Sequence, residues 1–133
     1  MNGYLLDTSI CVFLFRDKYN VAERLNNIGA ENCYISDVTI AELRYGAYKS
    51  ERTDDNLALI EELEKTLNVV PFRESVNIYA KEKNRLRQLG TPIEDFDLLI
   101  ASAAIARNIT LVTDNTKHFA RVQNLKLENW IER

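Results

Sequence analysis

Four carboxylates of this chain stand where chemistry is commonly built. Asp7 closes the apolar run Tyr4-Leu5-Leu6, and Asp114 closes Thr110-Leu111-Val112-Thr113. Asp97 sits between Phe96 and Leu98 at the start of a long apolar stretch, and Glu42 lies about one helical turn into a segment opened by Ser36-Asp37. If the fold brings these segments to one edge, like charges raise one another's pKa values, and the ionised cluster persists only where a cation neutralises it. Oxygen donors without a histidine or cysteine set select a hard ion such as Mg²⁺ or Mn²⁺, and an ion that keeps several waters suits phosphate chemistry. The chemistry indicated is metal-assisted hydrolysis of a phosphodiester. Thr8, Thr113 and Asn115 flank two of the acids and offer further hydrogen bonds to ligands or phosphate, although each also suits a turn.

Each acid also has a purely structural reading. Asp7 before Thr8-Ser9 is a plausible N-cap, Asp97 complements a helix dipole, and Asp114-Asn115 suits an Asx turn. Thr39-Ile40-Ala41-Glu42 matches a capping box. The functional reading rests on joint placement and on Asp97, an acid bounded by Phe96 and Leu98-Leu99-Ile100 that is costly to bury unless something ligates it.

The elements that must position these acids follow from periodicity. Tyr4-Leu6, Cys33-Ile35, Val69-Phe72 and Thr110-Thr113 read as short strands, with Pro71 arguing for an edge or a strand end. Helices are expected from Thr8, over residues 19–28 up to Gly29, after Ser36-Asp37, over Thr53–Leu67, from a Ser75 cap to Gly90, and over Phe96–Ile109. The last of these is nearly all apolar and should be buried, whereas the one before it carries Lys81, Lys83, Arg85 and Arg87. These four are candidates to guide a phosphate backbone, but a solvated face is the commoner use of such a series. Strands alternating with helices imply α/β units around a mostly parallel sheet, with ligands beyond the carboxyl ends of its strands.

A length of 133 residues fits a single domain, 1–133, without repeat or linker, and 46% hydrophobic content excludes a disordered or low-complexity chain. With 17 basic and 20 acidic residues the net charge is −3, so any nucleic-acid contact must come from a local patch rather than a diffuse basic surface. Cys11 and Cys33 lie in apolar runs and read as reduced core residues, and one histidine, His118, cannot complete a structural zinc site. The opening Met-Asn-Gly-Tyr-Leu-Leu-Asp has no positive leader, and no run approaches a bilayer span, so a soluble, cytoplasmic protein is expected.

At these residues the sequence resembles the PIN-domain ribonucleases and, within them, the VapC toxins of toxin–antitoxin pairs. The matching blocks are Leu5-Leu6-Asp7-Thr8-Ser9, Ser36-Asp37-Val38-Thr39 with Ala41-Glu42-Leu43 and Tyr45-Gly46-Ala47, and Pro92-Ile93 followed by Phe96-Asp97-Leu98-Leu99-Ile100-Ala101. Further blocks are Leu111-Val112-Thr113-Asp114-Asn115-Thr116, His118-Phe119-Ala120-Arg121-Val122 and Asn129-Trp130, so the resemblance covers essentially the whole chain. It implies a three-layer fold, a central mostly parallel sheet flanked by helices, and an acidic Mg²⁺ pocket that cleaves RNA to leave a 5′-phosphate and a 3′-hydroxyl. Carried over by position, Asp7 and Asp97 are the metal-coordinating pair, Glu42 is the third acid, and Asp114 is the fourth, shifted by one residue from the usual place. His118 stands where the family often has another acid.

The resemblance also implies a homodimer held in check by a small VapB-like antitoxin, and its nearest branch cuts initiator tRNA in the anticodon loop. The apolar and aromatic residues Cys11–Phe15 and Tyr45–Tyr48 suit such partner surfaces. Two other readings compete. A phosphoacceptor receiver domain needs paired acids after its first strand, and Asp7 stands alone; a catalytically silent binding module of the same fold would have no use for Asp7, Glu42 and Asp97 together.

Overall fold

Short apolar segments build the centre of the molecule, whose computed structural model describes residues 3–133. β1 (Tyr4–Leu6), β2 (Cys33–Ser36), β3 (Asn68–Val70), β4 (Thr110–Val112) and β5 (Lys126–Glu128) form one sheet in the order β3-β2-β1-β4-β5. Every pairing is parallel, with Leu5 opposite Leu111 and Leu6 opposite Val112 across the central pair. The helices are α1 (Thr8–Phe15), α2 (Val21–Ile28), α3 (Asp37–Tyr48), α4 (Thr53–Thr66), α5 (Val76–Gln88), α6 (Asp95–Arg107) and the single turn α7 (Thr116–Phe119).

Successive strand residues point to opposite faces, and both faces of this sheet are buried, as parallel sheets require. Leu6, Ile35 and Val112 join one core with Ile10, Val21 and Ile60 from α1, α2 and α4. Leu5 and Leu111 join the other with Leu86, Leu98, Ile100 and Phe119 from α5, α6 and α7. Three layers result, in agreement with the sequence pattern. The expected burial of the apolar helix also holds, since Leu98 through Ala104 of α6 are all buried.

Caps set where the helices begin and end. Ser36 Oγ accepts the Thr39 N–H at 3.2 Å and opens α3, while Gly29, at φ 99°, ends α2 in a conformation that side chains with a Cβ resist. Ser75 stands at the N-cap of α5 as the sequence suggests, but its side chain makes no capping bond. A 3₁₀ turn at Phe72–Ser75 leads into that helix, and the Ser75 hydroxyl donates back to the Phe72 carbonyl at 2.8 Å. β3 is an edge strand with Pro71 just beyond it, whereas β5 and α7 were not foreseen. Cys11 and Cys33 are buried and unpaired, with burial pushing the Cys33 thiol up to about 11. Among the described residues no helix is long and apolar enough to cross a membrane.

Two of the four basic residues of α5 are ion-paired within the chain. Arg85 donates to Glu82 at 2.8 and 2.6 Å, and Lys83 donates to Asp95 at 2.8 Å. Glu82 also accepts the Gln123 N–H at 2.7 Å, which ties α5 to the segment after α7. The Arg85 guanidinium holds the Glu82 carboxyl below the usual range, so the stability it contributes is present at neutral pH and is lost as pH falls through the lowered pKa. Glu82 is 8% exposed. Glu82→Ala should therefore destabilise by on the order of 2 kcal/mol, less than a fully buried pair because Arg85 retains solvent. Urea unfolding at neutral pH checks this, and a midpoint equal to that of the parent protein would contradict it.

Candidate active site

The chain leaves β1 toward β2 and β3 on one side, then returns to β4 and β5 on the other. The carboxyl ends of β1 and β4 therefore flank a topological switch point, where open α/β sheets bind ligands. Asp7 follows β1, and its N–H donates to the Val112 carbonyl of β4 at 3.0 Å, joining the two strand ends. Its side chain is also the N-cap of α1: Oδ1 accepts the Ile10 N–H at 2.9 Å and the Ser9 hydroxyl at 2.7 Å. Oδ1 alone makes the cap, and the Thr113 hydroxyl bonds the same carboxylate.

Asp7 is 7% exposed, and burial drives its pKa up. Hydrogen bonds from the Thr113 hydroxyl, the Ile10 N–H and Ser9 oppose that shift, and the negative charge of Asp97 adds to it. Glu42, on α3, is raised as well. Burial is again the leading cause; the Thr8 hydroxyl, which donates to Oε1 at 2.6 Å, works against it, and the charges of Asp97, Asp7 and Glu94 reinforce it. The Thr8 oxygen also lies 3.2 Å from the Thr39 hydroxyl. The capping-box reading of Glu42 fails because Ser36 is the cap and the Glu42 carboxylate turns to Thr8 instead.

Asp97 lies in the first turn of α6, with Oδ2 3.0 Å from His118 Nε2. The cap of α1, α3 and α6 thus supply Asp7, Glu42 and Asp97, and the charge of Asp97 reaches both of the others. Asp114 does not join them. Its two oxygens are held by the Arg133 guanidinium at 2.7 and 2.6 Å, with Asn129 at 3.3 Å, and Arg133 keeps its pKa below the usual range. An ion pair to the last residue of the chain carries no pattern that the sequence could disclose. The Thr113 hydroxyl hydrogen-bonds Asp7, and the Asn115 N–H donates to Thr113 Oγ1 at 3.1 Å. Sequence reasoning did not pick out Ser9, Glu94 or the contact of His118 with Asp97.

Glu42 lines two clefts. One, of about 370 Å³, runs past Thr8, Arg16 and Lys49; the other, of about 540 Å³, runs past Lys83, Glu94 and Phe96. Among the described residues, no three of the His, Cys, Asp and Glu side chains are gathered tightly enough to enclose an ion as they stand. The donor chemistry nevertheless fits a hard divalent cation. Asp97 adds negative charge beside Asp7 and Glu42, and Glu42 Oε2 and Asp97 Oδ1 have no hydrogen-bond partner among the described residues.

Residues 4–125 match the PIN domain. The chain belongs to the PIN-domain family. Within it, the chain is 42% identical over 134 residues to Ribonuclease VapC2 of Rickettsia felis, covering 96% of this chain and 97% of that one. It is 37% identical to the tRNA(fMet)-specific endonuclease VapC of Shigella flexneri, covering 98% and 99%. Among solved structures it is similar to VapBC from Salmonella typhimurium bound to DNA, with a TM-score of 0.89, 32% identity and 98% and 99% coverage. It is likewise similar to VapBC2 from Rickettsia felis bound to a promoter DNA fragment, with a TM-score of 0.88, 38% identity and 96% and 98% coverage. The chain is a PIN-fold ribonuclease of the VapC group, and the receiver-domain reading falls.

The raised pKa of Asp7 has a consequence for stability. A carboxyl whose pKa is raised on folding penalises the fold while it is charged, and the penalty disappears as pH falls through the raised value, which lies above the ordinary 3.8. Asp7→Asn removes the charge yet retains a side-chain oxygen for the α1 cap. In metal-free buffer the variant should melt at or above the parent temperature near neutral pH, and the difference should vanish on acidification toward about pH 4. Thermal melts across that range test it; a variant that melts lower at neutral pH would contradict it.

Proposed function

We propose that this PIN-domain ribonuclease is the toxin of a VapBC-type pair, a divalent-metal-dependent enzyme that cuts initiator tRNA in its anticodon loop and so stops translation in the cytoplasm. The observation that carries the reading is Asp7: a buried carboxylate at the switch point, raised by burial and by a second carboxylate, is an arrangement that a bound cation relieves. Mg²⁺ is the ion proposed, with Mn²⁺ as a substitute, and Asp7 and Asp97 are the residues that hold it. When bound, the cation lowers the pKa of water and offsets charge growing on the phosphoryl oxygens.

The chain's own groups supply the rest. Thr8 occupies Glu42 Oε1, which leaves Oε2 to orient the attacking water and accept its proton, a task suited to a carboxyl whose pKa is already raised. Ser9, Ile10 and Thr113 keep Asp7 oriented. The proposed cleavage leaves a 5′-phosphate and a 3′-hydroxyl. Asp114, engaged by Arg133, is proposed to hold the C-terminal segment beside the site rather than to touch substrate.

Two surfaces support partners. Leu14, Phe15, Ala22, Leu25, Leu63 and Leu67 line an apolar groove of about 290 Å³ between α1, α2 and α4, and it shares Phe15 with the cleft that reaches Glu42. An apolar antitoxin segment laid there would end beside the carboxylates. Tyr45 and Tyr48, each 67% exposed on α3, suit contact with a second copy of the chain. Names and partners of the VapC relatives point the same way, for the Shigella flexneri protein is a tRNA(fMet)-specific endonuclease and the Salmonella typhimurium structure is a VapBC complex.

The test is to incubate the purified protein with total cellular RNA and Mg²⁺ and to map new 5′ ends by sequencing. One dominant cut in the initiator tRNA anticodon loop is expected, abolished by chelator and reduced on the order of 10³-fold or more by Asp97→Asn. Cuts scattered over messenger and ribosomal RNA would overturn the substrate; full activity of Asp97→Asn would overturn the site. Light scattering at micromolar concentration should show a dimer, and a monodisperse monomer would contradict the second-copy contact.

A further inference from the structure

The three carboxylates of the site differ in how they are held. Asp7 has the Ser9 hydroxyl, the Ile10 N–H and Thr113, and Glu42 has Thr8. Asp97, in the first turn of α6, has one hydrogen-bond partner among the described residues, His118 Nε2 at 3.0 Å. Without it, no hydrogen bond among the described residues selects one rotamer of that carboxylate.

The ring of His118 is itself well held. Phe119, the next residue, is 2% exposed in the core beneath α6 and meets the imidazole edge-on at 5.2 Å between centroids. The Asn115 carbonyl accepts the N–H groups of His118 and Phe119 at 3.2 and 3.4 Å, and Asn115 in turn donates to Thr113. The segment after β4 therefore supplies a donor to each member of the metal-binding pair, Thr113 to Asp7 and His118 to Asp97. We propose that His118 is the positioning residue of Asp97: its Nε2–H fixes Oδ2, which leaves Oδ1 for the cation. The arrangement is that of an outer partner orienting a metal-ligating carboxylate, with a nitrogen donor in place of a further negative charge.

The proposal rests on the reading of Asp97 as a cation ligand, and the experiment separates the two. Mn²⁺ binding to the RNA-free protein is measured by electron paramagnetic resonance for the parent chain, His118→Ala and His118→Gln. His118→Ala should weaken Mn²⁺ about 10- to 100-fold, the usual effect of losing an outer partner, while its melting temperature in chelator stays within a few degrees of the parent. His118→Gln, whose amide can donate the same bond, should recover most of that affinity. Equal Mn²⁺ affinity in the parent and His118→Ala would overturn the positioning role and leave the metal site standing; failure of the parent chain to bind Mn²⁺ would overturn both. Loss in both variants without recovery by Gln would mark a structural role and overturn it too. A nitrogen coupling in the pulsed spectrum that reports imidazole bound directly to Mn²⁺ would make His118 a ligand, and would also overturn it.

Discussion

Holding like charges together in a half-dry crevice is the constraint on which this structure turns. The charge of Asp97 raises both Asp7 and Glu42, and for these two acids burial outweighs every hydrogen bond that opposes it. Helix N-termini help only in part. Asp7 caps α1 and Asp97 lies in the first turn of α6, where the helix dipole contributes about 0.3–1 kcal/mol to each at best. Removing a carboxylate from water costs several kcal/mol even after relaxation, so the dipole offsets a fraction and the balance stays unfavourable. A fold with no use for a cation would have little reason to retain such an arrangement.

The rest of the molecule makes that crowding tolerable. Each strand is short, yet the register Leu6 to Val112 puts the ends of β1 and β4 side by side, and the Asp7 N–H locks onto Val112 there. Buried layers on both faces keep those ends from drifting: Leu5 and Leu111 are anchored against α6, Leu6 and Val112 against α1 and its neighbours. The same α6 whose apolar length fills one core also carries Asp97 at its open end. Core packing and site geometry are therefore one constraint on that helix.

How much of this could be read from the residues follows from the range of each signal. Apolar triplets ending in Asp, a Ser cap, a Gly stop and an uninterrupted apolar helix are local, and they located β1, β2, β4, α3, α6 and the acids Asp7 and Asp97. β5 escaped because Lys126-Leu127-Glu128 has one apolar residue in an edge position, too little for periodicity to register. Asp114 was placed at the correct strand end, but its partner Arg133 lies far along the chain, and a long-range ion pair leaves no spacing to recognise. Glu42 looked like a capping residue for the same reason, since Thr8 lies 34 residues away in the sequence and adjacent only in the fold. The Ser75 capping bond was lost to a 3₁₀ turn that local propensity does not distinguish from a helix start.

The charges of α5 bear on substrate as well as stability. Lys83 and Arg85, which looked available for an RNA backbone, are engaged by Asp95 and Glu82, and Arg121 donates to the Pro92 carbonyl at 2.7 Å. With a net charge of −3 and these cations paired within the chain, diffuse attraction to phosphate is weak. Three carboxylates at the crevice also repel a backbone everywhere except where a cation sits. Affinity then has to come from short-range contacts that a double helix does not offer, such as bases splayed out of a loop. Phe96, half exposed beside Asp97 and lining the cleft that Glu42 shares, is a surface on which an unpaired base can stack. Weak diffuse attraction and local repulsion thus both trace to the acidic balance of the chain and to the crowding of its carboxylates.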